Sequence, residues 1–357
     1  MKQKSTRAEQ IRSFILKNIP LHPKDIVSVA ETHFKVTRTT VHRHLNILLK
    51  EEKIFKSGTT NNTTYSLPTS FDKELSFARD PKLSESEIWD KYFGSLKAFM
   101  PTNVYSICFY GFTEIFNNAI DHSEAKTIRV KSSLENNSIS FVIYDDGIGI
   151  FKKIKDAKGL MDEREAVLQL SKGKLTTDPV NHSGEGIFFS SRVFDSFCIL
   201  ANGLFYVRDN QKDDWFLESR KEKEKSSTLV EMKINMQSAR TSREVFQKYE
   251  SPETRAFDKT HILVNLSQSN EDRFISRSQA KRILANLDKF NRIILDFRGI
   301  ESVGQAFVDE VFRVFKNRHP EIEIQTINAN DDIKFMMTRG LATAAQVGGE
   351  GESSANG

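Results

Sequence analysis

The segment SISFVIYDDGIGI restricts the fold more than any other stretch of the 357 residues. Ile139, Phe141 and Ile143 alternate with their neighbours, which predicts a half-buried strand from Ile139 to Ile143. The strand runs into Asp145-Asp146-Gly147-Ile148-Gly149. Glycines there permit a turn and allow backbone to approach a ligand closely. A chain that alternates helix and strand signals around such a switch belongs to the α/β class.

Bulk composition narrows the class further. Hydrophobic residues are 38% and charged residues 28%, a globular balance, and 52 basic against 48 acidic residues leave a net charge of only +4. Overall charge therefore selects no partner, and only local clusters can point to nucleic acid. Two cysteines, Cys108 and Cys198, both in apolar runs, suggest neither a disulfide scaffold nor a zinc cluster. The polar start MKQKSTRAEQ and the lack of any apolar run near ~20 residues predict no membrane association and a cytoplasmic protein. The length allows two or three domains, each with its own core.

Residues 1–68 read as three short helices and a polar hairpin. Helix one spans about Thr6 to Lys17, and Pro23-Lys24-Asp25 opens helix two, with Ile26, Val29, Ala30 and Phe34 inward. Thr37 is placed to cap helix three, whose Val41, Leu45, Leu48 and Leu49 form the buried stripe. Strands IFKSG and TTYSL flank a turn at Gly58-Thr59-Thr60-Asn61-Asn62. This order resembles the winged helix-turn-helix domains. The resemblance implies binding of double-stranded DNA, with Arg38, Thr39, Thr40, His42 and Arg43 on the reading helix and a homodimer over two half-sites. Lys53 and Lys56 would meet the DNA backbone. A protein-protein module with a solvated charged face is the alternative. Residues 71–104 place Ile88, Trp89, Tyr92, Phe93, Leu96 and Phe99 at helical spacing, which predicts a packed helical connector or a dimer helix.

Four motifs lie between residues 105 and 238. In FTEIFNNAIDHS, Glu114 and Asn118 share one helix face, a pairing suited to a metal-nucleotide site. Asp145, at its strand end, can accept a hydrogen bond from a base amino group. In NHSGEGIFFSSRVF, Gly184 and Gly186 precede a helix whose free amides suit phosphate oxygens. In KSSTLVEMKI, Thr228 leads into an alternating strand. Taken singly these signals are weak, and a GxG is more often a plain turn.

In order and interval the four resemble the N, G1, G2 and G3 boxes of the GHKL superfamily, which includes sensor histidine kinases and anti-sigma-factor serine kinases. The resemblance implies an α/β sandwich with a mixed sheet, holding ATP and magnesium. Asn118 would be the magnesium ligand, Asp145 the adenine reader, Gly147 and Gly149 the lining of the base. Gly184 and Gly186 would bound the phosphate lid, Thr228 would match the G3 threonine, and Glu114 would be the general base of the hydrolysing members. Ser226 and Ser227 stand where the G3 box usually has glycine. The basic run Lys172-Gly173-Lys174 is uncommon in a lid, and Lys174 is a candidate for neutralising phosphate, or else part of a solvated loop. Residues 71–104 contain no histidine, which argues against a histidine kinase. The texts NNAIDHS and GEGIFF are most similar to the anti-sigma serine kinases.

Residues 250–343 read as strand, helix, strand, helix, strand, and SRSQAKRIL with DFRGIESVGQAFVDEVF resembles the STAS fold, most closely the STAS-like DUF4325 group. The likeness implies a partner-binding or docking unit. No hydroxyl stands at the usual phosphoacceptor position in Val303-Gly304-Gln305-Ala306, so Ser302 is the nearest candidate. The Gly/Ser-rich end, 346–357, is expected to be disordered. The sequence thus predicts a multidomain α/β regulator: a winged helix, a GHKL sandwich and a STAS-like domain. A serine/threonine protein kinase and a slow ATPase are the rivals.

Overall fold

The computed structural model describes residues 6–51, 53–58, 63–66, 72–98, 100–176, 183–212, 214–219, 226–267 and 275–350. The chain is a multidomain α/β protein, with three sheets among the described residues. Its first unit contains α1 (Arg7–Asn18), α2 (Ile26–Phe34), α3 (Arg38–Lys50), β1 (Phe55–Ser57) and β2 (Thr64–Ser66). Thr6 and Glu9 form a reciprocal capping box that satisfies the free amides at the start of α1. Lys35 takes the left-handed conformation that ends α2, and the Thr37 hydroxyl accepts from Thr40 N to start α3. The two strands pair antiparallel; of the expected turn, residues 59–62 lie outside the described residues.

Ile11, Ile15, Ile26, Ala30, Val41, Leu45 and Leu48 form a small core separate from the rest of the molecule. Three inward positions differ from the sequence reading, Phe34 being only partly buried. Val27 is buried rather than Val29, and α3 buries His44 while Leu49 is only partly covered.

The second unit is built on a seven-stranded sheet in the order β3-β4-β5-β9-β6-β7-β8. Its strands are β3 (Asp72–Ala78), β4 (Thr127–Glu135), β5 (Ser138–Asp145), β6 (Ser196–Ala201), β7 (Leu204–Asp209), β8 (Asp214–Ser219) and β9 (Thr228–Asn235). Every neighbouring pair is antiparallel, which corrects the mixed sheet expected from the resemblance. Two-residue turns dictate this locally. Asn136-Asn137 and Asn202-Gly203 have positive φ at both positions, the geometry that matches strand twist in tight hairpins. Residues 71–104 are likewise not a helical connector. They open with β3 at the sheet edge and continue into α4 (Glu85–Tyr92), whose Trp89 is fully buried in the core of this unit.

One sheet face is covered by α5 (Thr102–His122), α6 (Ile150–Lys158), α7 (Glu163–Lys172) and α8 (Gly186–Val193). Burial alternates strictly along β5, as a sheet with one covered face requires. After α9 (Ser242–Gln247) the third unit has β10 (Lys259–Leu263), α10 (Arg277–Leu284), β11 (Arg292–Asp296), α11 (Gln305–Asp309), a π-helical turn (Glu310–Phe315), α12 (Lys316–Arg318), β12 (Glu323–Ile327) and α13 (Asp331–Glu350). Its three strands are parallel in the order β10-β11-β12, each pair joined by a helical crossover. Helix α13 runs to Glu350, into the segment read as disordered from 346; residues 351–357 lie outside the described residues.

The second and third units do not have separate cores. One continuous cluster joins them, with Phe257 of the third unit 4.5 Å from Phe188 and 5.0 Å from Phe189, ring centre to ring centre. Among the described residues no helix is long and apolar enough to cross a membrane.

Candidate functional site

A cavity opens between the helical layer and the centre of the antiparallel sheet. It encloses about 1030 Å³ including the solvent at its mouth. Four separated segments meet on it: Glu114 and Asn118 from α5, Asp145 at the end of β5 with Gly149 of the following loop, Gly184 just before α8 with Gly186 at its start, and Thr228 at the start of β9.

The sheet register sets the innermost pair. Asp145 of β5 lies directly opposite Thr228 of β9, and the Thr228 hydroxyl bonds the carboxylate. Gly147 N donates to Asp145 Oδ1 at 3.0 Å, and Ile150 N donates to Thr228 Oγ1 at 3.1 Å, so the start of α6 is tied to the same two residues. Asp145 is 5% exposed. Burial raises its pKa to about 6, against the opposing pull of the Gly147 and Thr228 hydrogen bonds. Its neighbour Asp146 turns away and accepts from the backbone of Lys126 and Thr127 at 2.8 and 2.9 Å. The adjacent carboxylates therefore divide into one facing the cavity and one clamping the start of β4.

Close packing explains three glycines. A Cβ at Gly147 would lie 2.0 Å from Ser123 O, so the loop rests directly on the end of α5; Ile148 N also donates to that oxygen. Gly149 has φ +85, and a Cβ there would meet the Asn202 amide at 2.3 Å. A Cβ at Gly186 would lie 2.1 Å from Glu114 Oε2, which puts a carboxylate against the start of α8. The apolar walls include Ile115, Ile143, Ile154, Leu170 and Val230, surfaces suited to a flat unsaturated ring.

Some residues here escaped the sequence reading. Asn202 donates to Ile148 O and accepts from Lys152 N, pinning the glycine loop from the tip of the β6–β7 hairpin. The Asn-Gly turn signal marks that tip, though not what it touches. Lys153, which pairs with Glu124, also lines the cavity, as does His122, a residue the FTEIFNNAIDHS motif already contained.

Lys174, in contrast, is not on the cavity. Its ammonium donates to Lys289 O at 2.7 Å and sits 4.7 Å from the Phe290 ring centre, so it is held by the third unit. Ser302 is half-buried in the loop after β11 and is absent from the cavity lining. On α3, Arg38, Thr39 and Arg43 are exposed, while Thr40 and His42 are half-buried. The Thr40 hydroxyl lies 3.0 Å from that of Thr37. Lys53 pairs with Glu51 at 2.8 Å, and Lys56 is exposed on β1. Burial, with Arg12 and Arg43 nearby, lowers the His44 pKa.

In the third unit the DFRG text forms a polar cluster at the carboxyl ends of the parallel strands. Asp296 accepts from Asn328 Nδ2 at 2.9 Å and Arg298 N at 3.0 Å, and lies 3.2 Å from His261 Nε2. Burial pushes this carboxyl up, but the three partners outweigh it and hold its pKa below the usual value.

Residues 279–334, from α10 into α13, match the family model described as a STAS-like domain of unknown function (DUF4325). No curated protein matches the chain.

Proposed function

We propose that the chain is a nucleotide-dependent regulator that binds ATP with magnesium in this cavity. The convergence of seven of the sequence-selected residues from four separate segments on one cavity carries the reading. Asp145 would accept from the adenine amino group, the apolar walls would take the ring, and the amides after Gly184 would meet phosphate oxygens. The residues present fit magnesium. Asn118 and Glu114 offer hard oxygen donors one helical turn apart, and among the described residues no cluster of three or more metal-ligating side chains exists. An ion arriving with the nucleotide phosphates, with Asn118 as its protein ligand, suits that sparse donor set. Bound magnesium would neutralise phosphate charge.

Arg38, Thr39 and Arg43, exposed on α3, support duplex DNA as the partner of the first unit, bound by a cytoplasmic homodimer. The STAS-like unit would supply a protein contact that nucleotide occupancy biases.

One observation favours a second reading, slow hydrolysis. The Glu114 carboxylate stands against Gly186 at the start of α8, where a terminal phosphate and attacking water would lie. Transfer to Ser302 has no comparable support, because that residue is not on the cavity.

Fluorescent-nucleotide titration and phosphate release, measured together on wild type, Asp145→Asn and Glu114→Ala, test both readings. Asp145→Asn should lose binding by about a hundredfold, the scale set by losing a hydrogen bond to a charged acceptor. Glu114→Ala should retain binding and lose any phosphate release. Undiminished affinity in Asp145→Asn removes the nucleotide assignment, and undiminished release in Glu114→Ala removes the hydrolytic one.

A further inference from the structure

Two sides of the cavity are short segments that rest on the third unit. One is the end of α7 and the residues after it, contributing Leu170, Leu175 and Thr176; the other is the start of α8, with Gly184, Gly186 and Ile187. Lys172, at the end of α7, is 1% exposed yet ionisable. Its ammonium donates to Gln169 Oε1 at 3.0 Å and to the carbonyls of Arg282 and Ala285 at 2.8 and 2.9 Å. Those carbonyls belong to the end of α10, where the helix dipole favours a cation. The Lys172 carbonyl in turn accepts from the Thr260 hydroxyl of β10 at 2.7 Å.

Phe257 reaches both segments. A Cβ at Gly173, whose φ is +83, would lie 2.7 Å from the Phe257 ring, so the ring packs on the backbone just after α7. The same ring packs, tilted, against Phe188 and Phe189 of α8. A charged run such as Lys172-Gly173-Lys174 ordinarily faces solvent. Here both lysines bind carbonyl oxygens of the third unit.

We propose that the third unit is an integral part of the nucleotide cavity, with Phe257, Thr260 and the carboxyl end of α10 acting as positioning groups for its phosphate-side walls. The inference rests on the nucleotide reading and deepens it. Asp145 and Thr228 belong to the sheet, which would fix the base end independently of this seam. The amides at Gly184 and Gly186 would meet the phosphates, and they hold their places only while Phe257 braces α8 and Thr260 braces α7. The STAS-like unit then senses nucleotide through the walls it carries, with no need to touch the ligand.

The test uses the full chain as wild type, Thr260→Val and Phe257→Leu, each checked for an unchanged circular dichroism spectrum. Affinity for ATP and for adenosine is measured by calorimetry, and amide hydrogen exchange is followed in residues 170–176 and 183–189. Loss of a buried hydrogen bond or ring contact should weaken ATP about tenfold. Adenosine should change less than about twofold, because its end of the site is untouched, and exchange should quicken in both wall segments. Unchanged ATP affinity, or equal losses for ATP and adenosine, overturns the proposal. If wild type binds neither compound, the nucleotide reading fails by itself. Hydrogen exchange then judges the seam: quicker exchange in the variants upholds it, and unchanged exchange overturns it.

Discussion

Asp145 is a residue whose position opposes stability. Its pKa rises from an ordinary 3.8 to about 6 in the folded chain, so between those values the native state binds more protons than the unfolded state. Stability from this group is therefore greatest below about 4 and falls as pH climbs to about 6. Two units correspond to a cost on the order of 3 kcal/mol at neutral pH. Asn at this position keeps an oxygen for Gly147 N and carries no charge. Asp145→Asn should accordingly raise the melting temperature of the ligand-free protein by several degrees at pH 7. That gain should vanish towards pH 4, and wild-type nucleotide affinity should weaken as pH drops below about 6, where the acceptor becomes protonated. Thermal unfolding from pH 4 to 7 checks the sign. A variant less stable than wild type at pH 7 shows that the carboxylate is structural.

At the scale of elements, α3 shows what a sequence reveals about a surface. Val41, Leu45 and Leu48 fall inward at helical spacing, and this leaves Arg38, Thr39 and Arg43 exposed on one face. Each guanidinium that meets a phosphate steepens the salt dependence of DNA affinity by about one in log-log slope. Arg38→Ala with Arg43→Ala should lower duplex affinity and flatten that slope by about two, which fluorescence anisotropy over a salt series measures. An unchanged slope would leave α3 without its assigned role. The capping threonine, the heptad-like stripe and the glycine switch after β5 were legible because each is decided within a few residues. The strand β3 was not. An edge strand with Leu75 and Phe77 as its only large apolar residues was absorbed into the segment read as a helical connector, and its pairing partner β4 lies about fifty residues away. Lys172 and Lys174 were misread for a related reason. Nothing in their local text announces that the carbonyls of α10 and of Lys289, more than a hundred residues later, receive them. The seven cavity residues could be selected in advance because their motifs are local, whereas Asn202 joins the site only through tertiary packing.

For the whole molecule, domain boundaries drawn from texture do not match boundaries of cohesion. The cut expected near residue 238 passes through a shared core, since Phe189 packs on Phe246 at 4.4 Å and Phe188 on Tyr249 at 5.0 Å and Phe257 at 4.5 Å. Removing everything after Ser238 would uncover both phenylalanines of α8, each worth roughly 1.5–3 kcal/mol of burial. The first unit is different, because among the described residues its core contains no residue of the larger cluster and is met by the rest at Ala98. Two truncations separate these cases. A chain of residues 72–357 should melt within a few degrees of the full protein, while one ending at Ser238 should melt about 10 °C lower or aggregate. Scanning calorimetry on the three proteins decides the matter. Equal stability for the chain ending at Ser238 would mean that the aromatic seam adds little cohesion, and the third unit would then be a separable neighbour of the cavity. The opposite result makes the second and third units one cooperative body, in which a ligand bound on the sheet side necessarily changes the stability of the STAS-like side.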